Sequence, residues 1–529
     1  MSLKGKGWTN VQPNLGGSRI SLFRITQMAL YKMPLLVLLV VLLAAILRLY
    51  QLDRESFWFD EAHTYWTIRN SPVDVIKSVI KDVHSPLYFL LLHYWARMLG
   101  DTDWAIRLLS AIFGILAIPV VFQIGRLLFN NRFGLMAALF LSVSGFHIQY
   151  SQEARPYSLY FFLTSLSVLF AVLAYKRINY AWIGYILSTV MLLYTHNTAI
   201  LAVAAVMLFY LVVSWPWKPA NLCPFLLANL AVFIFYTPWI SFFVGQSLTV
   251  TEHFWTSTLT TRHIFRTLTE MVLIPSGTNI PRKMHTALLV VPSSILLLAL
   301  PRLWAKQKKI LLALALLFLV PVGGNLLAST MIRNIFILRV LIPALLLLPF
   351  LWATPILMGS ERPVSTYGRR LAILAMVSMF FISLIGSISF LRHNSKEPWR
   401  QAAEIFQRSY KAGDVVVYVF PYNEIAFVRY LPANFYNLPV VAIPPGSYLN
   451  LGPPRSQPLN KEDRDETSVV ALQALKTKNS RLWLILRHSP TTRKNKTLID
   501  STLAWLDANY KSVNELKHNR LQFVLYEPL

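Results

Sequence analysis

The chain has 529 residues, of which 55% are hydrophobic and only 14% are charged, and its mean hydropathy is +0.48. Soluble domains are about one quarter charged, so this composition excludes an ordinary soluble protein and indicates a membrane protein. A net charge of +26 would suggest a nucleic-acid partner in a soluble chain, but in a membrane protein Lys and Arg mark the cytoplasmic ends of spans and attract anionic lipid, so we expect no nucleic acid.

Apolar runs long enough to cross a hydrocarbon core of about 30 Å recur between Met33 and Leu391 and then stop. Basic residues precede the first run, as in a secretory signal. No small-residue cleavage site follows it, so we interpret it as an uncleaved first helix. Together the runs predict about eleven spans. The later ones lie at residues 104–128, 133–149, 157–174, 180–195, 198–215, 222–245, 285–301, 309–327, 337–357 and 371–391.

The charges between the spans predict an orientation. If the N-terminus is cytoplasmic, the cytoplasmic connections carry Lys and Arg with Glu361 as their only acid, which is the positive-inside pattern. The opposite side then receives the acidic loop 50–103, which contains FWFDEAHTYW at residues 57–66. We therefore expect a multi-pass protein of the plasma (inner) membrane whose loop 50–103 and C-terminus are extracytoplasmic.

Two segments of this loop predict helices that lie on the membrane interface. VDVIKSVIKDV, at residues 73–83, follows a capping Asn70-Ser71-Pro72 and repeats apolar residues at helical spacing. LYFLLLHYWARML, at residues 87–99, is apolar but shorter than a span. A span at 87–99 is the alternative and would invert the orientation of everything after it, which the charge asymmetry opposes.

After Leu391 the composition changes and predicts a small α/β domain. Buried strands are expected at residues 415–420, 481–486 and 521–527, amphipathic helices at 398–410, 467–478 and 498–510, and Pro-rich loops within 439–458. The predicted fold class is therefore an α-helical polytopic membrane domain, residues 1–391, followed by an extracytoplasmic α/β domain, residues 392–529.

The adjacent carboxylates of Asp60 and Glu61 lie in an aromatic segment close to the first span. Two acids on the surface of a loop need no functional explanation. Beside a membrane, however, carboxylates are costly to desolvate unless they react or bind a cation. One can act as a general base while the other holds a cation or a sugar hydroxyl.

A second group of polar residues lies in SQEARPYSLY, residues 151–160, in a short loop on the same side as Asp60. Glu153 and Arg155 are the only charges between Arg132 and Lys176. A local ion pair at a helix start is the alternative interpretation. Because a guanidinium suits bidentate phosphate binding, the two loops together predict a site for an anionic substrate.

Three further positions on this side carry polar side chains in apolar surroundings. His84 follows Asp82 in DVHSPLYF, His196 lies in YTHNT, and Arg339 lies in FILRVLIP. Each also has a purely structural interpretation, since a His can cap an interfacial helix and an Arg at a helix end often reaches the interface with its charged head.

These motifs resemble those of the family 39 and family 83 glycosyltransferases, which belong to the GT-C superfamily and include protein O-mannosyltransferases and bacterial aminoarabinose transferases. The resemblance covers roughly residues 30–350 and continues weakly into KEPWRQAAEIF and GDVVVYVFPYNE. It is carried by the DEA of the outer loop, HSPLYFLLLHYW, RLLS…GRLLF, FHIQYSQEARPYSLY and YTHNT. It implies a multi-span GT-C fold, an extracytoplasmic active site and a polyprenyl-phosphate sugar as donor.

By motif position, the resemblance implies that Asp60 is catalytic and that Glu61 and Glu153 are its acidic partners or the ligands of a metal ion. Arg155 is expected to bind the donor phosphate. The other expected substrate-binding residues are Tyr65, His84, Tyr157, His196 and Arg339.

The sequence thus predicts an inverting glycosyltransferase that moves a sugar from a polyprenyl-phosphate donor to an acceptor hydroxyl at the outer face of the membrane. A divalent cation (Mg²⁺, Mn²⁺ or Ca²⁺) is the expected cofactor, with no organic cofactor, and the single Cys223 excludes a thiolate metal cluster. The expected partners are the donor, a lipid, glycan or protein acceptor, and membrane lipids. The alternatives are a polysaccharide polymerase or ligase of similar topology, a transporter, and a structural scaffold.

Overall fold

In the computed structural model, a bundle of mostly apolar helices is followed by a small domain built on a five-stranded sheet. The structure describes residues 18–529 except 179, 254–255, 257, 273–281, 360–365, 394–395, 444–472, 474–479 and 489–492. The predicted helix at 467–478 and most of the predicted Pro-rich loops lie outside the described residues. The helices of the first part are α1 (Ser18–Leu49), α2 (Phe59–Ile68), α3 (Pro72–Lys81), α4 (Leu87–Leu99), α5 (Asp103–Leu128), α6 (Asn131–Ser142), α7 (Gly145–Ser151), α8 (Tyr157–Tyr175), α9 (Ala181–Leu193), α10 (Ala199–Val213), α11 (Pro219–His253), α12 (Thr261–Val272), α13 (Arg282–Met331), α14 (Leu347–Ala353) and α15 (Thr366–Arg392).

The chain is a multi-pass membrane protein. Among the described residues, helices long and apolar enough to cross a membrane occur at Asp103–Leu128, Tyr157–Tyr175, Pro219–Val250, Gln307–Met331, Leu338–Leu357 and Tyr367–Arg392. The bent pair of α6 and α7 adds one more if it counts as a single span, and α1, α9 and α10 contribute shorter apolar helices. The predicted spans 285–301 and 309–327 both fall in α13, which is interrupted only by the non-helical residue Gln307. Most of the predicted span 337–357 consists of 3-10 helices on either side of α14.

The break between α6 and α7 leaves helix-end carbonyls inside the bundle, and side chains from other helices satisfy them. The two helices meet at 61°. Arg48, fully buried near the end of α1, donates to the last two carbonyls of α6 at 3.0 and 3.1 Å. Ser383 and Ser387 of α15 donate to the carbonyl of Val143 at 3.2 and 2.7 Å. Such partners are required because hydrocarbon offers none, and they tie α1 and α15 to the break.

Two glycines bring the backbones of α5 and α6 together. A Cβ atom on Gly125 would lie 2.8 Å from the Cα of Gly134, and one on Gly134 would collide with the carbonyl of Phe122. Small residues at facing positions allow this close approach between membrane helices. The packing of α6 on α5 also fixes α7 and the loop 152–156 that follows it.

Three short helices, α2 to α4, form the connection between α1 and α5. The predicted helices at 73–83 and 87–99 correspond to α3 and α4, whereas α2 was not predicted. Ser71 caps α3 by accepting the N–H of Asp74 at 3.3 Å. α4 has only 13 residues and packs on α5, where the Tyr88 hydroxyl meets Ser110 Oγ at 2.7 Å.

The C-terminal domain has a mixed sheet of strand order β2-β1-β3-β5-β4. β1 pairs in parallel with β2 and β3, and β5 pairs antiparallel with β3 and β4. The strands are β1 (Val415–Val419), β2 (Val440–Ile443), β3 (Leu482–Arg487), β4 (Tyr510–His518) and β5 (Leu521–Pro528), and the helices are α16 (Trp399–Ser409), α17 (Glu424–Val428) and α18 (Arg493–Asn509). β1, β3 and β5 confirm the predicted strands. One face of the sheet, with Trp483 and Phe523, packs on α16 and α17, while the other face packs on α18.

The C-terminal domain docks on the connection that contains α2. The indole of Trp66 on α2 donates to the carbonyl of Ile425 on α17 at 3.0 Å. Just before α2, the N–H of Phe57 donates to the Tyr430 hydroxyl at 2.7 Å, and that hydroxyl donates to Asp103 at 2.5 Å. The connection 50–103 and the C-terminal domain therefore lie on the same side of the bundle.

Candidate active site

Asp60 and Glu61 lie in the first turn of α2, where carboxylates are stabilised by the positive end of the helix dipole. Consecutive helical residues point about 100° apart, so the two side chains enter different surroundings. Asp60 remains partly accessible, whereas Glu61 is completely buried. The two carboxylates that are adjacent in sequence therefore belong to two different clusters.

The first is the Asp60 cluster, made of Asp60, Arg339, Arg155 and His84. Asp60 Oδ2 lies 2.5 Å from Nη1 of Arg339, and Arg155 donates from Nη1 to the carbonyl of Asp60 at 3.2 Å. Burial by itself raises the pKa of Asp60, but the charges of Arg339 and Arg155 outweigh it and hold the pKa below its usual value. Asp60 is therefore an ionised carboxylate that is paired with Arg339 and lies in the field of Arg155.

Arg155 connects α2 with the segments that follow α3 and α7. It is 2% exposed, and it donates to Thr64 Oγ1 at 3.1 Å and to Nε2 of His84 at 3.0 Å. Its Nε is buried without a hydrogen-bond partner in the part of the chain that the structure describes. A buried guanidinium with an unused N–H is a ready site for an anionic oxygen.

The predicted residues Tyr157 and His196 border this cluster. Tyr157 follows Arg155 by two residues, and its ring lies 6.0 Å from that of His196. His196 stacks on Tyr160 at 4.9 Å, and burial lowers the pKa of His196 to about 3. At neutral pH, His196 therefore contributes an uncharged ring beside Arg155 rather than another cation.

The second is the Glu61 cluster, made of Glu61, Arg107 and Lys396. Arg107 of α5 grips both carboxylate oxygens of Glu61 at 2.7 Å, Lys396 Nζ lies 2.9 Å away, and the N–H of Ala154 donates at 3.0 Å. Burial raises the pKa of Glu61, but these partners override it and hold the pKa at about 2. Both oxygens are occupied by protein donors, so this geometry favours a structural role over the predicted catalytic or metal-binding role of Glu61.

Glu153 lies beside the Glu61 cluster with few partners of its own. The residue is 5% exposed, Gln149 reaches one carboxylate oxygen at 3.4 Å, and the other oxygen has no hydrogen-bond partner among the described residues. Burial raises the pKa of Glu153 to about 7, against the opposing charge of Lys396. A carboxyl that ionises near neutral pH is suited to proton transfer.

The group of described residues that could hold a metal ion is His63, Asp82 and His84, not the predicted pair Glu61 and Glu153. One ligand atom from each lies within 4.8 Å of the others, and Asp82 Oδ2 lies 3.3 Å from His63 Nε2. Burial lowers the pKa of both His63 and His84, which leaves neutral imidazoles that can ligate. A bound ion would have to replace the contact of Arg155 with His84.

The structure does not bring the predicted residue Tyr65 to the Asp60 cluster. Its hydroxyl donates to Asp101 at 3.2 Å, and the guanidinium of Arg429 lies 4.0 Å above its ring, so Tyr65 contributes to the docked C-terminal domain. Sequence reasoning in turn missed Arg107 and Lys396. Arg107 could have been found, since it is the only charge between Asp103 and Arg126 in an apolar helix. Lys396 opens KEPWRQAAEIF, but no charge pattern in the sequence indicates a role for it.

Comparison with known proteins gives one family match and several similar folds. Residues 83–242 match the sequence model of the dolichyl-phosphate-mannose-protein mannosyltransferase family. A search of curated proteins gives no significant match. ArnT from Cupriavidus metallidurans is similar in its apo state, with a TM-score of 0.56 and 12% identity over 94% of this chain and 98% of that one. The same protein bound to undecaprenyl phosphate has a TM-score of 0.53 and 13% identity over 92% and 97%.

A weaker likeness extends to a longer protein. The Archaeoglobus fulgidus oligosaccharyltransferase in complex with Zn and sulfate has a TM-score of 0.46 and 13% identity, and the match covers 74% of this chain and 61% of that one. This similarity is too low to support an inference. The likeness to ArnT over nearly the full length of both chains confirms the predicted fold class, a polytopic helical protein with a small C-terminal sheet domain.

Proposed function

We propose that this chain transfers a sugar from a polyprenyl-phosphate donor to an acceptor hydroxyl. Its fold and its family match support membership of the GT-C superfamily of membrane glycosyltransferases. The observation that carries the proposal is the Asp60 cluster, in which the carboxylate of Asp60 pairs with the partly buried Arg339 while the buried Arg155 donates to the backbone carbonyl of Asp60. The two guanidinium groups can bind the donor phosphate, and the Asp60 carboxylate can accept the proton of the acceptor hydroxyl.

In the first step, the donor phosphate replaces the Asp60 carboxylate as the partner of Arg339. In the free protein, Arg339 is paired with Asp60 at 2.5 Å. The donor phosphate binds the unused Nε–H of Arg155 and competes for Arg339. As Arg339 turns to the phosphate, Asp60 loses its strongest stabilising charge, so its pKa rises and it becomes a better base. Donor binding thereby activates Asp60.

The chemical step is then an in-line displacement with inversion. The acceptor oxygen bonds to the anomeric carbon while the bond from that carbon to the phosphate oxygen breaks. Asp60 takes the proton of the acceptor hydroxyl, and the electron pair of the broken bond leaves with the polyprenyl phosphate. Arg155 and Arg339 stabilise the charge that develops on the leaving phosphate.

A divalent cation would be held by His63, Asp82 and His84, close to Arg155. When bound, it would supply a further positive charge for the phosphate. Asp82 and the neutral rings of His63 and His84 fit a metal such as Zn²⁺ or Mn²⁺ better than Mg²⁺ or Ca²⁺, which prefer oxygen ligands only.

We further propose that the Asp60 cluster and the C-terminal domain face the extracytoplasmic side of the plasma membrane, because the connections on the other side are basic. Single cysteines at Ser71 and Ser480, in a Cys223→Ser background, test this orientation. Both should react with a membrane-impermeant thiol reagent in intact cells. Labelling by a permeant reagent alone would overturn it.

The activity is tested by incubating the purified protein with a panel of radiolabelled polyprenyl-phosphate sugars and with lipid, glycan and peptide acceptors. We expect one donor to be consumed with release of free polyprenyl phosphate and formation of a glycosylated acceptor of inverted anomeric configuration. A product ladder of many sugars would indicate a polymerase instead. Binding of every donor without turnover would contradict the proposal.

A further inference from the structure

A small cavity lies between the helix bundle and the C-terminal domain. Its volume is about 30 Å³, enough for about two water molecules. Residues at the ends of α1 and α15 line it, and Lys396 is the lining residue that comes from the C-terminal domain. The lining includes Arg54, Glu55, Gln149, Glu153, Phe390 and Lys396. Glu153, which has one unpartnered oxygen among the described residues, and Lys396 thus line the same cavity.

Lys396 is fixed at three points although it lies in the short segment between α15 and α16. Its N–H donates to Glu55 at 2.9 Å, and its carbonyl accepts from the side chain of Asn519 at 3.2 Å. Asn519 lies in the tight turn between β4 and β5, so the sheet itself holds the backbone of Lys396. The ammonium then reaches the buried Glu61 at 2.9 Å and is only 13% exposed.

We infer that Lys396 is a positioning residue through which the C-terminal domain acts on the site: it holds Glu61 in place and supplies a positive charge to the cavity that Glu153 lines. The role in transfer rests on the proposed function, but the effect on Glu153 does not. The C-terminal domain then contributes a positioning residue to the site in addition to packing against it.

The arrangement of charges supports this role. The titratable and charged groups that act on Glu153 include Asp60 and Glu61 on α2, Tyr150 on α7, and the cations Arg339 and Lys396. Arg54, Glu55 and Arg107 line the same cavity. The carboxylates disfavour ionisation of Glu153, and Lys396 is the strongest opposing charge. Arg339 is already engaged by Asp60 at 2.5 Å, and Glu61 keeps Arg107 even if Lys396 is removed. Loss of Lys396 should therefore change mainly the pKa of Glu153.

The consequence for the proposed reaction follows from electrostatics. An ionised Glu153 near Asp60 makes protonation of Asp60 easier, because two neighbouring carboxylates raise each other's pKa. The charge of Lys396 favours the ionised form of Glu153 near neutral pH and so supports the base. Without Lys396, the pKa of Glu153 rises further, and the acidic limb of the pH profile for transfer moves to higher pH.

The test is an infrared titration of the protonated carboxyl band that disappears in Glu153→Gln, measured for full-length variants in detergent. Lys396→Met should move the midpoint of this band upward by about one pH unit or more. Lys396→Arg, which keeps the charge, should remain within a few tenths of a unit of wild type. The matched control is Arg400→Met, because Arg400 binds Asp103 at 2.8 Å in the same docked segment but does not line the cavity.

A second variant keeps the test valid if Lys396→Met does not fold. Asn519→Gly retains every charge and tolerates the positive φ of 43° at that turn position, but it removes the amide that holds Lys396. It should move the midpoint in the same direction by a smaller amount. An unchanged midpoint in both Lys396→Met and Asn519→Gly would overturn the inference. Because the band is measured without substrate, this result is independent of whether any donor is turned over.

Discussion

Asp60 and Glu61 are neighbours in sequence, yet their surroundings differ in nearly every physical respect. Asp60 is partly accessible and paired with one guanidinium that a phosphate can draw away. Glu61 is 0% exposed and is held by Arg107, Lys396 and a backbone N–H. The comparison teaches that a buried ion pair with every donor used stabilises a site, whereas a pair with one exchangeable partner can take part in a reaction.

The strongest test of this difference is Asp60→Asn. The amide is nearly isosteric but cannot accept a proton, so we expect sugar transfer to fall by about 10²–10⁴ while donor binding is retained. Turnover and donor-binding titrations on the same sample measure both. Transfer within a few-fold of wild type would remove Asp60 as the base and leave Glu153 as the candidate. Loss of binding together with turnover would mean that Asp60 organises the site.

Glu61→Gln should instead affect stability. It leaves two buried cations without a counter-charge, which typically costs about 3–5 kcal/mol. Thermal unfolding in detergent measures this, and Glu270→Gln is the control, since its pair with Arg266 is partly exposed and is expected to contribute less than about 1 kcal/mol. A melting temperature equal to wild type would contradict the structural role.

The pH dependence of that stability has a definite sign. Because the pKa of Glu61 is lowered from 4.5 to about 2, its contribution is present above pH 4.5 and is lost as pH falls through about 2. The difference in unfolding temperature between wild type and Glu61→Gln should therefore shrink over this window. A difference that stays constant down to pH 2 would show that packing, not charge, causes the effect.

Arg155→Lys sharpens the comparison on the side of Asp60. Lysine keeps the charge but loses the planar fork and the unused Nε–H, so we expect the KM for donor to rise about tenfold with folding retained. Arg69→Lys is a suitable control, because Arg69 is half exposed and pairs with Asp101 at 2.6 Å away from the cluster. A wild-type KM for Arg155→Lys would remove Arg155 from the phosphate site.

The smallest expected effect concerns the metal. Asp82→Asn should weaken binding of Zn²⁺ or Mn²⁺ at least about tenfold in calorimetric titrations, since even a residue behind a ligand typically contributes that much. Asp74→Asn, an exposed acid on α3, should leave the affinity unchanged. Equal affinities for both variants would mean that His63, Asp82 and His84 are a hydrogen-bonded group rather than a metal site.

Sequence patterns were sufficient to predict the elements that depend only on residues close together in the chain. Apolar length identified the spans, and short continuous apolar runs identified the buried strands β1, β3 and β5, because both signals come from neighbouring residues. The same reasoning grouped Asp60 with Arg155, His84 and Arg339 on one side, and the structure brings these four into contact although Arg339 is 279 residues from Asp60.

The remaining features depend on contacts that no local pattern records. α2 mixes polar and aromatic residues, and it is buried by the C-terminal domain more than 300 residues later. β4 was not predicted because most of its side chains are exposed. The role of Glu61 depends on Lys396, 335 residues away, so its sequence context is the same whether it reacts or only holds the fold.

The pairing of Arg48 with the carbonyls of α6 has a consequence for biosynthesis. Arg48 is made more than 90 residues before the groups that it binds, so it emerges into the membrane without its partners. An unpaired guanidinium and unpaired helix-end carbonyls are each unfavourable in lipid, and the hydrogen bonds between them remove both costs. We therefore expect the first helix to remain at the translocon until α6 and α7 have been inserted. The part of the chain that is synthesised first is then among the last to reach its final packing.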